Sequence, residues 1–266
     1  MSKVTGLSNR IIACLDVRAN TVVKGTQFSD LVNIGDPASL ANGYCLSGAD
    51  ELCLLNVAAS YANENITTDV VERIAQNCFI PLTVGGGVRR LKDVELLLRA
   101  GADKVAINSA AAINPEFVAK CVDRFGSQCI VASIDCKALN GSWEVFTHGG
   151  ARATGLDAIE HARRMAQYGV GEILLTSMDK DGTKTGFDVL LLRLVTSLVS
   201  VPVIASGGFG QPHHAAAALI EGGASAVLIA SQLHQNQYSI SQIKCLLGHC
   251  GLLIRDDYIR LGLYDE

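Results

Sequence analysis

One feature constrains the fold of this 266-residue chain more than any other: its second half repeats its first. Four short segments recur in the same order, each about 120 residues further along the chain. The matched segments are residues 14–17 and 133–136, 50–55 and 171–176, 84–87 and 206–209, and 101–105 and 223–227. Four matches in one order predict a structure made of two similar halves.

Within each half, short aliphatic runs alternate with segments of helical periodicity. Apolar runs without polar alternation, each followed by an amphipathic helix, are typical of parallel strands whose two faces are both covered. The predicted strands are residues 11–17, 51–57, 81–84, 104–107, 129–135, 172–177, 202–206 and 226–229. The predicted helices include residues 67–76, 91–100, 115–125, 157–168, 189–198 and 213–221.

Eight strand–helix units predict an α/β fold, a single (β/α)8 TIM barrel with an internal twofold (βα)4 repeat, since about 250 residues is typical of that fold. A doubly wound sheet, the alternative, would not need a duplicated four-unit half. We expect one barrel domain over residues 1–266, with half-barrels over about 1–125 and 126–251 and a C-terminal extension over 252–266.

Composition excludes several classes of protein. Hydrophobic residues are 49 % of the chain, which excludes disorder, and no stretch approaches the roughly 18 uninterrupted apolar residues of a membrane span. A net charge of −4 without a dense basic tract gives no electrostatic case for nucleic acid. The 9 cysteines are scattered without a C-x-x-C pair, and no apolar leader opens the chain, so we expect a cytoplasmic protein with reduced thiols and no metal site.

Two aspartates end the first and fifth predicted strands. In a barrel of this kind the active site lies at the carboxyl ends of the strands, so Asp16 and Asp135 are expected to face each other across the mouth. Two carboxylates can divide the work of general acid and general base if their environments separate their pKa values. The alternative is that each aspartate only caps the loop that follows it.

Glycine-rich turns follow the third and seventh predicted strands, at residues 85–87 and 207–208. Glycine lets backbone N–H groups approach an anion closely, and barrels often bind phosphate after strands 7 and 8. The neighbouring strands end in Asn108-Ser109 and Ala230-Ser231. By the repeat, these turns predict two phosphate sites facing each other and a long substrate with a phosphate at each end. The alternative is that the glycines only make tight turns.

Two loops and the opposite end of the barrel also carry polar groups. Residues 23–28 are interpreted as a lid-like loop on which Lys24 either neutralises a phosphate or is simply solvated. Residues 178–186 form a second polar, glycine-rich loop, whose spacing does not fit an EF-hand Ca²⁺ site. Charged residues open four strand regions, where they either form a ring across the barrel bottom or are ordinary solvated ends: Arg10, Glu51, Lys104 and Glu172.

These residues are similar to those of a known family. Segments 10–17, 22–25, 83–87, 101–105, 125–128 and 176–184 resemble the cyclase subunit of imidazole glycerol phosphate synthase, and the resemblance runs from about Arg10 to Gly251. It implies a twofold-repeated barrel that acts as a lyase in histidine biosynthesis, with no metal or organic cofactor. The implied substrate is the bisphosphate PRFAR, a formimino-aminocarboxamide ribonucleotide. The implied partner is a glutaminase (amidotransferase) subunit that docks at the barrel bottom as a heterodimer and sends ammonia through the barrel.

The resemblance also implies roles for single residues. Asp16 and Asp135 correspond to the acid/base pair, and Lys24 and Thr176 to substrate-binding positions. The implied ligands of one phosphate are Gly87, Asn108 and Ser109, and those of the other are Gly182, Gly208, Ala230 and Ser231. The implied ammonia gate is made by Arg10, Glu51, Lys104 and Glu172.

Several positions depart from the family's usual pattern. Asn56 replaces an aspartate near the mouth, Ala106 a serine and Gln232 a valine, while Phe209 replaces a small residue and is expected to crowd a phosphate site. These departures support a second hypothesis, a paralogous subunit that docks a glutaminase and delivers ammonia to another pathway. A third is the related phosphoribosyl-formimino isomerase, which would share the aspartate pair but lack the 179–184 loop and the charged ring.

Overall fold

The computed structural model describes residues 7–26, 29–57 and 68–255 of the chain. Its strands are β1 (Arg10–Arg18), β2 (Thr21–Thr26), β3 (Ser29–Gly35), β4 (Glu51–Asn56), β5 (Leu82–Gly85), β6 (Lys104–Ile107), β7 (Ile130–Leu139), β8 (Ser142–Thr147), β9 (Arg152–Asp157), β10 (Glu172–Ser177), β11 (Val203–Ser206) and β12 (Ala226–Ile229). Eight of them pair in parallel in the order β1-β4-β5-β6-β7-β10-β11-β12, and β12 pairs with β1. The sheet therefore closes on itself, and the predicted eight-stranded barrel is confirmed.

Helices surround this barrel. They are α1 (Pro37–Leu46), α2 (Thr68–Ala75), α3 (Leu91–Arg99), α4 (Ser109–Ile113), α5 (Pro115–Phe125), α6 (Ala158–Gln167), α7 (Val189–Leu198), α8 (Pro212–Ile220), α9 (Ser231–His234) and α10 (Ile240–His249). Aspartate side chains cap the first turns of two of these helices. Asp157 accepts hydrogen bonds from the second and third backbone N–H groups of α6, and Asp188 accepts one from the third backbone N–H group of α7. None of the helices in the described ranges is long and apolar enough to span a membrane.

Alternation along the strands divides the core in two. On β1, Ile11, Ala13 and Leu15 point outward into the layer between strands and helices. Ile12 and Cys14 belong to a separate apolar cluster inside the bore. Because side chains alternate along a strand, Asp16 lies on the same inward face as Ile12 and Cys14, near the carboxyl end of the barrel.

Two antiparallel extensions correct one prediction. β2 and β3 continue from β1, and β8 and β9 continue from β7, each by antiparallel pairing. Lys24 was predicted on a loop over residues 23–28, but it lies on β2, opposite Val32 of β3. The apolar residues before it explain the difference, since Val22 and Val23 are buried and the first of them pairs with Val17. Residues 27–28 of that predicted loop lie outside the described residues.

A buried ion pair joins α10 to the barrel. Lys244 of α10 places its Nζ 2.7 Å from Asp50 Oδ1, and both side chains are more than nine-tenths buried. Asp50 Oδ2 accepts a hydrogen bond of 2.7 Å from the backbone N–H of Ile11, and Lys244 Nζ donates to the carbonyl of Arg255 at 2.7 Å. The pair therefore joins β1, the start of β4, α10 and the segment after it.

Candidate active site

A cavity of about 880 Å³ opens at the carboxyl ends of the barrel strands. Its volume is within the range of about 300–1,000 Å³ that small-molecule sites usually have. Eleven residues are assigned to substrate by the strand ends and loops or by the family resemblance, and all of them line it: Asp16, Lys24, Gly87, Asn108, Ser109, Asp135, Thr176, Gly182, Gly208, Ala230 and Ser231. The structure therefore brings together in one cavity the residues that the sequence predicts to act on substrate.

Asp135 lies in the more enclosed of the two carboxylate environments. Burial raises the pKa of Asp135 to about 7, and the negative charges of Asp181 and Asp16 act in the same direction. Thr176 donates a hydrogen bond to this carboxylate, and Asn108 Nδ2 donates another at 2.9 Å. Asn108, predicted as a phosphate ligand, thus also holds the aspartate in place.

Asp16 faces a cation. Lys24 Nζ lies 3.6 Å from Asp16 Oδ2 and 4.0 Å from Asp181 Oδ1, so one ammonium group bridges two carboxylates. Burial by itself would lower the pKa of Lys24, but the two aspartates outweigh it and raise that pKa. The thiol of Cys14 lies 3.4 Å from Asp16 Oδ1 as a weak donor. An aspartate beside an ammonium and another that holds a proton near neutral pH suit a base and an acid in one cavity.

The first glycine turn needs its glycines because another strand passes directly against it. Gly86 has a φ of +109°, and a Cβ there would lie 2.6 Å from the carbonyl oxygen of Asn56. Across the cavity rim, the backbone N–H of His148 donates to Ser109 Oγ at 3.1 Å. The turn, Ser109 and the tip of the β8–β9 hairpin therefore form one end of the cavity.

The second glycine turn carries the loop of residues 178–186. Gly208 has a φ of +106°, and a Cβ there would lie 2.1 Å from the carbonyl oxygen of Gly186. Gly186 N donates to the carbonyl of Gly208 at 2.9 Å. At the other end of the loop, Asp179 Oδ2 accepts from the backbone N–H of Ala138 at 2.7 Å. The loop is thus seated on the turn and closes this end of the cavity.

Phe209, which follows this turn, is mostly buried. Its ring centroid lies 6.3 Å from that of Phe187 and 6.3 Å from that of Tyr238, with an edge-on angle of 82° to the tyrosine. Phe209 still lines the cavity, as does Asn56 at the mouth. The larger side chain is accommodated by an aromatic cluster under the turn.

The four charged residues predicted at the barrel bottom form a closed ring. Arg10 Nη1 lies 2.6 Å from Glu51 Oε1 and 2.6 Å from Glu172 Oε1. Lys104 Nζ lies 2.9 Å from Glu51 Oε2 and 2.8 Å from Glu172 Oε2. Apolar side chains line the bore between this ring and the cavity, among them Ile12, Cys53, Val131, Leu174 and Ile204.

Five further residues with acidic or basic side chains line the cavity that strand-end reasoning did not assign to it: Arg18, Arg89, His148, Asp181 and Lys184. The family motif around residues 179–184 could have pointed to Asp181 and Lys184. His148 stands at the tip of a hairpin that was not predicted, so no signal in the strand pattern pointed to it.

Comparisons with known proteins identify relatives of this chain. Residues 10–239 match a family model described as histidine biosynthesis protein. The chain is also similar to the imidazole glycerol phosphate synthase subunit HisF of Hyphomonas neptunium, with 53 % identity over 249 residues. That alignment covers 94 % of this chain and 99 % of the relative. Both matches extend over the barrel strands and the loops that form the cavity.

Proposed function

The chain belongs to the family of histidine biosynthesis proteins, as a cyclase subunit of the imidazole glycerol phosphate synthase type, and from this membership we propose how its barrel works. The proposed reaction takes ammonia and PRFAR to imidazole glycerol phosphate and an aminoimidazole carboxamide ribotide. It relies on acid–base chemistry and uses no metal or organic cofactor. The observation that carries the proposal is one cavity with Asp16 and Asp135 between two glycine turns. The free thiols of all nine cysteines are in keeping with action in the cytoplasm.

In the proposed mechanism Asp135 is the general acid and Asp16 the general base. A carboxyl group whose pKa is about 7 still holds its proton near neutral pH and can donate it. Asp16 is the proposed proton acceptor, and its Oδ2 lies 3.6 Å from the Lys24 ammonium. Thr176 and Asn108 keep Asp135 oriented while the proton moves.

The two glycine turns are the proposed phosphate sites. Gly87, Asn108 and Ser109 would bind one phosphate group, and the second group would lie against the other turn, with ligands Gly182, Gly208, Ala230 and Ser231. Turns whose glycines have positive φ direct consecutive backbone N–H groups toward one point, which suits an anion. A bisphosphate would then lie across the cavity with its reacting centre above the aspartates.

The ring and the bore are the proposed ammonia path. Arg10, Glu51, Lys104 and Glu172 would form its gate, and the apolar bore above them would admit neutral ammonia. Transferring an isolated ammonium ion into an apolar interior is costly, so such a bore discriminates against the protonated form. The docked partner would be the glutaminase subunit that releases the ammonia.

The function is tested with the purified chain, an ammonium salt and PRFAR, by following the loss of substrate absorbance. We expect turnover without the glutaminase, because the ammonium salt replaces its product. Absence of turnover together with intact glutaminase binding would contradict the cyclase and favour the paralogous subunit that serves another pathway.

Opening the ring should uncouple glutamine-dependent from ammonium-dependent turnover. Glu172→Gln leaves Arg10 and Lys104 facing a single carboxylate. We expect the glutamine-dependent rate of the heterodimer to fall about tenfold, as for the loss of charge-assisted hydrogen bonds, with the ammonium-dependent rate changed less than about twofold. The control is Glu160→Gln, which breaks an exposed ion pair with Arg163 on α6. Equal losses with both nitrogen sources would contradict a gating role.

The face around the ring carries exposed apolar side chains that suit the glutaminase. They stand before strands or at the ends of helices on the bottom of the barrel: Leu7, Leu46, Phe79, Leu198, Ile220 and Leu253. Phe79, between α2 and β5, is 89 % exposed. Exposed apolar groups around one functional opening indicate an interface, and large aromatic side chains often dominate its binding energy.

Phe79→Ala should therefore weaken binding of the glutaminase subunit by about 30-fold or more, which corresponds to about 2 kcal/mol for a central aromatic contact. The measurement is a titration of the two subunits by calorimetry. Leu139→Ala is the control, because Leu139 is 50 % exposed but lies on the hairpin side of the barrel. A loss of affinity in Leu139→Ala and not in Phe79→Ala would place the partner elsewhere.

A further inference from the structure

Lys184 lines the cavity but has no role in the proposed mechanism. It lines the cavity at the second glycine turn, on the same side as Gly182, Gly208 and Ser231. Its side chain is exposed, and its Nζ donates a hydrogen bond of 3.2 Å to Gln235 Oε1, just after α9. The ammonium therefore stands at the rim of a proposed phosphate site with a neutral amide as its partner.

The backbone of Lys184 is held much more firmly than its side chain. Its φ is +62°, a left-handed value that is uncommon for a residue with a Cβ. Its carbonyl oxygen lies so close to Gly210 that a Cβ on that glycine would come within 2.1 Å of it. The loop is also fixed next to it, since Thr183 Oγ1 donates to the carbonyl of Lys180 at 2.7 Å. Lys184 therefore carries an exposed cationic side chain on a backbone that is fixed by its neighbours.

The other lysine of the cavity is already engaged by carboxylates. Lys24 Nζ lies between Asp16 and Asp181, at 3.6 and 4.0 Å. Even the backbone N–H of Gly182 donates to Asp181 and lowers the pKa of that carboxyl group against the larger effect of burial. Among the described residues no carboxylate pairs with Lys184, so its ammonium could contact a phosphate dianion at this turn without breaking an ion pair.

We propose that Lys184 is a specificity-determining residue for the phosphate group at the second turn, and that its ammonium exchanges the amide oxygen of Gln235 for a phosphate oxygen when substrate binds. The exchange is favourable because a hydrogen bond between two charged groups is stronger than one to a neutral amide. This inference rests on the proposed function and specifies how the same cavity selects a substrate with phosphate at this end.

Kinetics of matched variants test the proposal. Lys184→Met should raise KM for PRFAR about tenfold, as for the loss of one charge-assisted hydrogen bond at an exposed site, and leave kcat within about twofold. Lys184→Arg should restore most of the loss. The control is Lys180→Met, which removes the same charge from the same loop at a residue that does not line the cavity. An unchanged KM in Lys184→Met, or an equal rise in Lys180→Met, would overturn the proposal.

Substitution of Gln235, which accepts the hydrogen bond of Lys184 before substrate binds, should change KM in the opposite direction. Gln235→Leu removes the competing acceptor, so KM should fall about threefold, the equivalent of one neutral hydrogen bond. A rise in KM would show that the Lys184–Gln235 contact supports the loop instead of competing with substrate.

A binding measurement separates this proposal from the proposed function. Inorganic phosphate is titrated into the full chain by calorimetry, where no turnover is needed. Affinity should be about tenfold weaker in Lys184→Met than in the unmodified chain or in Lys180→Met. That result in a chain without cyclase activity would support the lysine and contradict the reaction; turnover with phosphate affinity unchanged by Lys184→Met would do the reverse.

Discussion

Asp135→Asn should lower the kcat of the ammonium-dependent reaction by about 10²–10⁴-fold, the usual contribution of a general acid or base. The amide cannot donate the proton that the carboxyl group holds near neutral pH, while its size and its hydrogen bond with Asn108 are nearly preserved. KM for PRFAR should change little, because the proposed phosphate ligands are untouched. Steady-state kinetics with a saturating ammonium salt measure both quantities.

The pH dependence of the same variant tests which aspartate is the acid and which is the base. With a pKa of about 7, Asp135 loses its proton as the pH rises, so kcat of the unmodified chain should fall above about pH 7. Asp135→Asn should lack this limb in its residual activity. If Asp16→Asn removed the limb and Asp135→Asn did not, the roles of acid and base would be reversed.

Stability provides an internal control for this variant. The folded-state pKa of Asp135 lies above the value of about 3.9 expected in the unfolded chain, so the folded state binds the extra proton between the two values. The free energy of unfolding therefore falls as the pH rises from about 4 to 7, and Asp135→Asn should be the more stable protein at pH 8. Loss of rate together with a gain in stability would exclude unfolding as its cause. The exposed Asp123→Asn on α5 should change neither quantity.

The eight barrel strands could be predicted because each is an apolar run buried on both faces, and a repeat placed them in order. The β2–β3 and β8–β9 hairpins are not predicted, because their strands are not continuous apolar runs. Ser142–Thr147 alternates between buried and half-exposed side chains, as expected of a strand with one covered face, and contains no continuous apolar run that would predict it. The closed barrel is now observed, whereas the internal repeat stays a prediction from the matched segments.

The site was predictable to the extent that barrel geometry determines it. Asp16 and Asp135 lie near the carboxyl ends of their strands, on the face that points into the barrel. Parallel topology alone therefore brings them to one cavity. Lys184 and His148 depend instead on loops whose backbones adopt φ of +62° and +56°. Nothing in strand or helix periodicity specifies such conformations, and the direction of those side chains follows from contacts made only in the folded chain.

Lys244→Met should destabilise the fold by about 3–5 kcal/mol, because it leaves the buried carboxylate of Asp50 without its cation. Burial already raises the pKa of Asp50 although Ile11 N and Lys244 both favour its charged form. Without the lysine that carboxyl group keeps only the backbone N–H of Ile11 and the weaker effect of the Arg255 charge to stabilise its ionised form. Urea unfolding followed by circular dichroism measures the loss, and Lys92→Met, at an exposed lysine of α3, is the matched control.

The pH dependence distinguishes a buried charge from lost packing. A carboxyl group whose folded-state pKa is raised binds its proton more tightly in the folded chain, so the free energy of unfolding of Lys244→Met should fall as the pH rises from 5 to 8. Its deficit against the unmodified chain should thus be larger at pH 8. The double variant with Asp50→Asn should recover much of the stability and lose this pH dependence, since no charge is then left unpaired. A deficit that is the same at both pH values, and unrelieved in the double variant, would mean that Lys244 stabilises the barrel through its methylene chain.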